Sequence, residues 1–152
     1  MSFVNELVIT TLHARFQDYP YISHAPGLEM KLVHAQPEQN VTVLQMRAQP
    51  FAQSGLHRHL APTYGFTLQG AWSHDPREFP YQPASYICEP NELHRFHNGP
   101  EVSEVYYIST GDSEWFDDEG RELIRRGNAR TALKTYLEKC EEAGLPRPNV
   151  LR

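Results

Sequence analysis

Proline breaks up this chain more than any other residue. Twelve prolines are spread along its 152 residues. Each lacks a backbone N–H and fixes its own φ, so it stops a helix and is kept out of sheet interiors. What remains between them is a series of short segments, which favours strands and turns over long helices. Leu28 to Ala35 reads as a strand, with Leu28, Met30 and Leu32 on one face and Glu29 and Lys31 on the other. The turn cluster Pro37-Glu38-Gln39-Asn40 separates it from a second strand, Val41 to Ala48, and the two predict an antiparallel hairpin. Tyr64 to Trp72 is β-branched and aromatic with glycines inside, the mark of a bulge or a barrel corner. Ser85–Cys88, Leu93–Phe96 and Val102–Thr110 read as further strands, and Glu114–Ile124 as a last hairpin turning at Asp118-Glu119-Gly120.

Helical spacing is clear once, near the end. Ala129, Ala132, Leu133, Tyr136, Leu137 and Cys140 share a face, with Asn128 as N-cap and Gly144 as a stop before Pro146. The segment Leu7–Leu12 fits a strand or a short helix equally well. Tyr19-Pro20-Tyr21-Ile22 reads as an extended arm, an edge strand in need of a partner. These elements predict one mainly β domain with a C-terminal helix packed on its outside.

The formal net charge of −5 gives no broad basic surface, which argues against nucleic-acid binding. No apolar run approaches the ~20 residues of a membrane helix, and Met1 to Phe16 lacks the pattern of a signal peptide, so no membrane role and a cytoplasmic location are expected. Two cysteines, Cys88 and Cys140, are too few for a disulfide framework and read as small buried hydrophobes.

His57-Arg58-His59 carries the chemistry. Side chains two apart on a strand leave it on the same side, so both imidazoles suit two neighbouring positions on one metal. His94 follows 35 residues after His59, behind the turn-like stretch Glu89 to Leu93. The three histidines are expected to form one metal site, with Arg58 turned away toward a carboxylate. His97 falls out of phase with His94, and His13, His24 and His34 belong to no motif, so surface positions are expected for these four. Pocket residues are expected among Tyr64, Phe66, Trp72, Tyr86, Phe96 and Tyr107, with Tyr64 offering a phenol near the metal; ordinary strand packing is the competing reading. Glu78 and His74 lie where a fourth ligand would come from, although their polar loop favours solvated surface.

These residues resemble the cupin superfamily, of the ChrR-like and RmlC-like kind. His57, His59 and Gly70 match its first motif, and Pro90, His94 and Asn98 match the second. Thr63 and Tyr64 stand where the first motif has a glutamate, Glu92 replaces a glycine, and Ala84 another. A longer stretch is similar to the dihydroxyacetophenone dioxygenase family. It runs through Tyr64, Leu68-Gln69-Gly70, Trp72 and Tyr86-Ile87-Cys88-Glu89-Pro90 to Asp117–Gly120 and Tyr136–Leu145. Acetylacetone-cleaving dioxygenases share the three histidines and the missing glutamate. The resemblance implies a single double-stranded β-helix (jelly-roll) barrel over 1–152, with an arm to about 27, a barrel over about 28–125 and a helix over about 128–144. It also implies a homodimer and one divalent metal, Fe(II) above Zn or Ni.

Three neutral ligands would leave a divalent ion its full charge, which suits an anionic chelating substrate such as an enolised hydroxyketone or β-diketone. The activity implied is oxygen-dependent cleavage of a carbon–carbon bond in such a small-molecule ketone. The alternatives are a non-catalytic zinc cupin with a sensing role, as in certain anti-sigma factors, and a metal-free cupin isomerase, disfavoured by the histidines.

Overall fold

The computed structural model describes residues 11–89 and 91–152. Most of the undecided segment Leu7–Leu12 lies outside this range, and Thr11 and Leu12 carry no regular structure. After a short 3-10 turn at Phe16–Asp18 come eleven strands: β1 Ile22–Ala25, β2 Leu28–Gln36, β3 Val41–Ala48, β4 Leu56–His59, β5 Thr63–Gln69, β6 Trp72–Ser73, β7 Tyr86–Glu89, β8 His97–Asn98, β9 Ser103–Ser109, β10 Ser113–Phe116 and β11 Leu123–Gly127. One helix, α1, spans Ala129–Glu142.

The strands form two layers. One is a six-stranded sheet in the order β1-β2-β3-β9-β5-β7. The other is built from β11-β10-β4 and the β6-β8 pair, joined by isolated bridges at His57↔His94 and Gln53↔His97. Every pairing between named strands is antiparallel, and the layers close into the jelly-roll barrel that the resemblance implied.

Local chemistry sets the corners. Gly27 and Gly70 hold φ of +74°, which is open to glycine at little cost. Gly70 ends β5, and a Cβ there would collide with Ser103 and with the carbonyl of Val102, so the long expected strand Tyr64–Trp72 is broken into β5 and β6. Asn98 explains another part of the motif. It is buried, and its Nδ2 donates to the carbonyls of Ala48, Gln49 and Glu101 at 3.1, 2.8 and 2.8 Å. The expected strand Leu93–Phe96 is reduced to the single bridge at His94, which leaves its side chain set by the His57 backbone.

Two apolar clusters hold the barrel. Leu28, Met46, Ala48, Trp72, Phe96, Val105 and Tyr107 fill one end of its interior. Outside, Ile22, Leu32, Val33 and Ala35 meet Tyr136 and Cys140 of α1. The helix begins as expected: Asn128 accepts from the Thr131 N–H at 2.9 Å, and Thr131 Oγ1 accepts from the Asn128 N–H. Among the described residues no helix is long and apolar enough to cross a membrane.

The arm Tyr19–Ile22 leads into β1 at the edge of the six-stranded sheet, and it is tied to its own chain where Tyr19 donates to the Asn149 carbonyl and Tyr136 to the Pro20 carbonyl, both at 2.7 Å. One expectation is corrected. Cys88 is exposed, because it faces outward beside Tyr64; only Cys140 is buried.

Candidate metal centre and its cavity

β4 and β10 pair so that His57 lies opposite Trp115, Arg58 opposite Glu114 and His59 opposite Ser113. The alternation sends His57 and His59 inward and Arg58 outward, where its guanidinium meets the Glu114 carboxylate at 2.7 Å. His94 is brought alongside by two backbone hydrogen bonds with His57, of 2.9 and 3.0 Å. The three imidazoles thus converge, with ring centroids between 4.4 and 5.2 Å apart.

The structure adds Glu89 to this group. Its position pairs with Thr63 across β5 and β7, so the carboxylate enters on the same face, from the strand next to the residue that stands in the motif glutamate's place. Its Oε2 is 2.6 Å from His59 Nε2 and 3.0 Å from His94 Nε2. One donor atom from each of His57, His59, Glu89 and His94 lies within 4.8 Å of all the others. The expectation of a purely neutral set is therefore corrected: a carboxylate sits among the histidines. The sequence does carry a signal for it, a strand ending in glutamate five residues before the third histidine.

A further correction concerns His74. It is half-buried rather than solvated, with Nε2 3.4 Å from Glu89 Oε1, its ring 4.8 Å from that of His94, and Nδ1 3.5 Å from the Tyr81 hydroxyl. Glu78, the other fourth-ligand candidate, is exposed on the loop.

The donor chemistry fits a metal. His57 Nδ1 lies 2.8 Å from the Gly55 carbonyl and His94 Nδ1 2.8 Å from that of Glu92. A carbonyl only accepts, so each Nδ1 carries the proton and Nε2 is left for a ligand bond. Burial, helped by the charge of His94, pushes His57 down to about 3, which keeps it neutral. Burial alone would raise Glu89, but hydrogen bonds from His59, His74 and His94 bring it well below the usual carboxylate range, so it is ionised. His94 is raised: burial opposes its charge, but the Glu89 carboxylate outweighs burial.

His57, His59 and Glu89 of this cluster line the inner end of a cavity of about 400 Å³. Phe96 and Tyr107 line it too. Tyr64, Phe66 and Tyr86 do not. On β5 the inward positions are Thr63, Gly65 and Thr67, so Tyr64 and Phe66 fall on the outer face, where both pack against exposed Tyr86. Trp72 is buried behind the wall, stacked on Phe96 at 4.8 Å and donating to Thr67 Oγ1 at 2.8 Å. Trp115, which no motif marked, stacks on His57 at 4.3 Å and does line the cavity. His24 also lines it, against the expectation of surface; His97 is half-buried on β8 and outside the cluster.

A family model described as the ChrR cupin-like domain matches residues 10–114. No curated protein matches the chain. Among solved structures, an RmlC-like cupin from Ralstonia eutropha superposes with a TM-score of 0.82 at 20% identity, covering 95% of this chain and 96% of that one. An acetylacetone dioxygenase from Acinetobacter johnsonii gives 0.78 at 20% identity, covering 91% and 99%. At that identity the likeness is one of fold.

Proposed function

Since the chain belongs to the ChrR cupin-like family, with a cupin barrel built around a His/Glu cluster, we propose that it is a metal-dependent dioxygenase. It would cleave a carbon–carbon bond of a hydroxyketone or β-diketone, as the fold shared with an acetylacetone dioxygenase suggests. The observation that carries this reading is the convergence of His57, His59, Glu89 and His94 on one point, with His57, His59 and Glu89 lining the inner end of a mostly apolar cavity. When bound there, a divalent ion, Fe(II) first and Zn or Ni as substitutes, supplies a centre that brings a chelating substrate and dioxygen together.

The protein's own groups have distinct work. His57 and His94 are fixed in orientation by the Gly55 and Glu92 carbonyls. Glu89 offers Oε2 to the site while His74 approaches Oε1, an arrangement that orients the carboxylate. Met46, Leu44 and Phe96 line the cavity and exclude water from a bound enolate. Tyr107 takes the place expected of Tyr64. It lies opposite Gly65, whose missing side chain leaves room for its ring, and both burial and the facing Glu89 carboxylate hold its phenol well above the ordinary range. It therefore keeps its proton and can donate a hydrogen bond at the inner end of the cavity.

Metal analysis of natively purified protein, followed by oxygen uptake with acetylacetone and dihydroxyacetophenone, tests the reading. Iron content near one per chain and uptake that disappears in His57→Ala, His59→Ala and His94→Ala are expected. The family match also favours a second reading, a non-catalytic zinc cupin with a sensing role. Tightly held zinc with no uptake after exchange for iron would establish that one instead.

A further inference from the structure

The cavity is charged unevenly along its length. At the inner end Glu89 is the one acidic residue among the described residues that line it. At the outer end, β11, β1 and α1 contribute Arg125, His24 and Lys139 to the same lining. Register explains how Arg125 gets there. Trp115 of β10 pairs with His57 on one side and with Arg125 on the other, so the three side chains form a row across β4, β10 and β11 on the inner face. The Arg125 guanidinium lies 4.8 Å from the Trp115 ring, and that ring 4.3 Å from His57. Two strand spacings, roughly 10 Å, therefore separate the guanidinium from the first histidine of the cluster.

The neighbouring charges are otherwise neutralised. Arg126 also borders the cavity, but its guanidinium is paired with Glu114 at 2.6 Å, and Glu114 is shared with Arg58. Arg125 has no carboxylate within salt-bridge distance among the described residues. Lys139 donates only to a neutral acceptor, the Ser23 carbonyl, at 2.7 Å. His24 lines the same cavity with its ring 5.6 Å from Trp115, and burial together with the charges of Arg125 and Lys139 keeps it uncharged down to about pH 4. On a chain with a net charge of −5, two cations without counter-charges at the mouth of an apolar cavity stand out.

We propose that the outer end is a subsite for an anionic group of the substrate, with Arg125 as its principal contact and Lys139 as support. The ligand class is then a dicarbonyl or hydroxyketone acid: chelating oxygens at one end, a carboxylate several bonds away, and an apolar linker passing Trp115. A planar guanidinium held beside an indole face is pre-oriented for two hydrogen bonds to a carboxylate, which gives both affinity and direction. This inference rests on the reading of the inner end as a chelating metal site.

Succinylacetone, a β-diketone acid, and its methyl ester provide the test. Calorimetric titration of the iron-loaded protein without oxygen measures both affinities. The acid is expected to bind at least about tenfold more tightly than the ester, as one charge-assisted hydrogen bond requires. That ratio should fall to about one in Arg125→Gln and survive in part in Arg125→Lys, and moderate salt should reduce it. Equal binding of acid and ester to the wild-type protein would overturn the subsite and leave the chelating site intact. Binding of neither, with iron bound, would overturn both.

Discussion

At the scale of single residues, the site depends on which way each side chain leaves its strand. His57 and His59 were legible because a spacing of two on a strand needs no knowledge of the partner strand. Glu89 was not, because what brings it to the histidines is the register of β7 against β5, a long-range property. The same parity turned Tyr64 and Phe66 outward. Glu89→Gln keeps the shape and removes the charge, and metal affinity should fall roughly 10–100-fold by direct titration. His74→Ala should have a smaller effect in the same direction, since it touches only the far carboxylate oxygen. His24 gives a pH prediction. Its neutral form is favoured in the fold and its ordinary value is 6.5, so between about 6.5 and 4 the unfolded chain binds a proton the folded chain does not. Stability attributable to this residue is intact above 6.5 and declines as pH falls toward 4. In urea unfolding at pH 7 and about pH 5, the wild type should lose about 1–2 kcal/mol more than His24→Asn.

At the scale of elements, the β2–β3 hairpin and α1 were readable because each is specified within its own segment, by alternation, by helical spacing and by caps. β3 has the expected limits, Val41–Ala48, and α1 ends where Gly144 adopts φ +69°. The short strands β6 and β8 were not readable, since two residues carry no period and their pairing rests on Trp72 opposite Asn98. The start of α1 is doubly held. Asn128 caps it, and Asn40, in the β2–β3 turn, accepts from the Ala129 N–H at 2.9 Å while donating to Asp112 at 2.7 Å. Asn128→Ala should cost about 1 kcal/mol in chemical denaturation. Asn40→Ala should cost a similar amount or more, because Asn40 also sits at φ +55° and joins the helix to the barrel. Equal stability of wild type and Asn40→Ala would show that this joint contributes nothing.

At the scale of the whole molecule, the barrel has one end packed by Trp72, Phe96, Met46 and Val105 and the other open to a cavity. A packed end gives the strands a fixed base, and the open end can then hold polar groups whose burial costs stability unless they are satisfied. The cluster of histidines and Glu89 is such a cost, and a bound cation would satisfy these groups with ligand bonds. Thermal stability should therefore rise on adding metal, by about 2.7 kcal/mol at a hundred times the dissociation constant, and the rise should vanish in His59→Ala. The central claim, a dioxygenase acting on a chelated dicarbonyl, is tested most directly by stoichiometry. With iron-loaded protein and a limiting amount of acetylacetone or succinylacetone in an oxygen electrode, one dioxygen should disappear for each diketone cleaved into two carbonyl products. Stoichiometric iron, bound diketone and no oxygen consumption would contradict it.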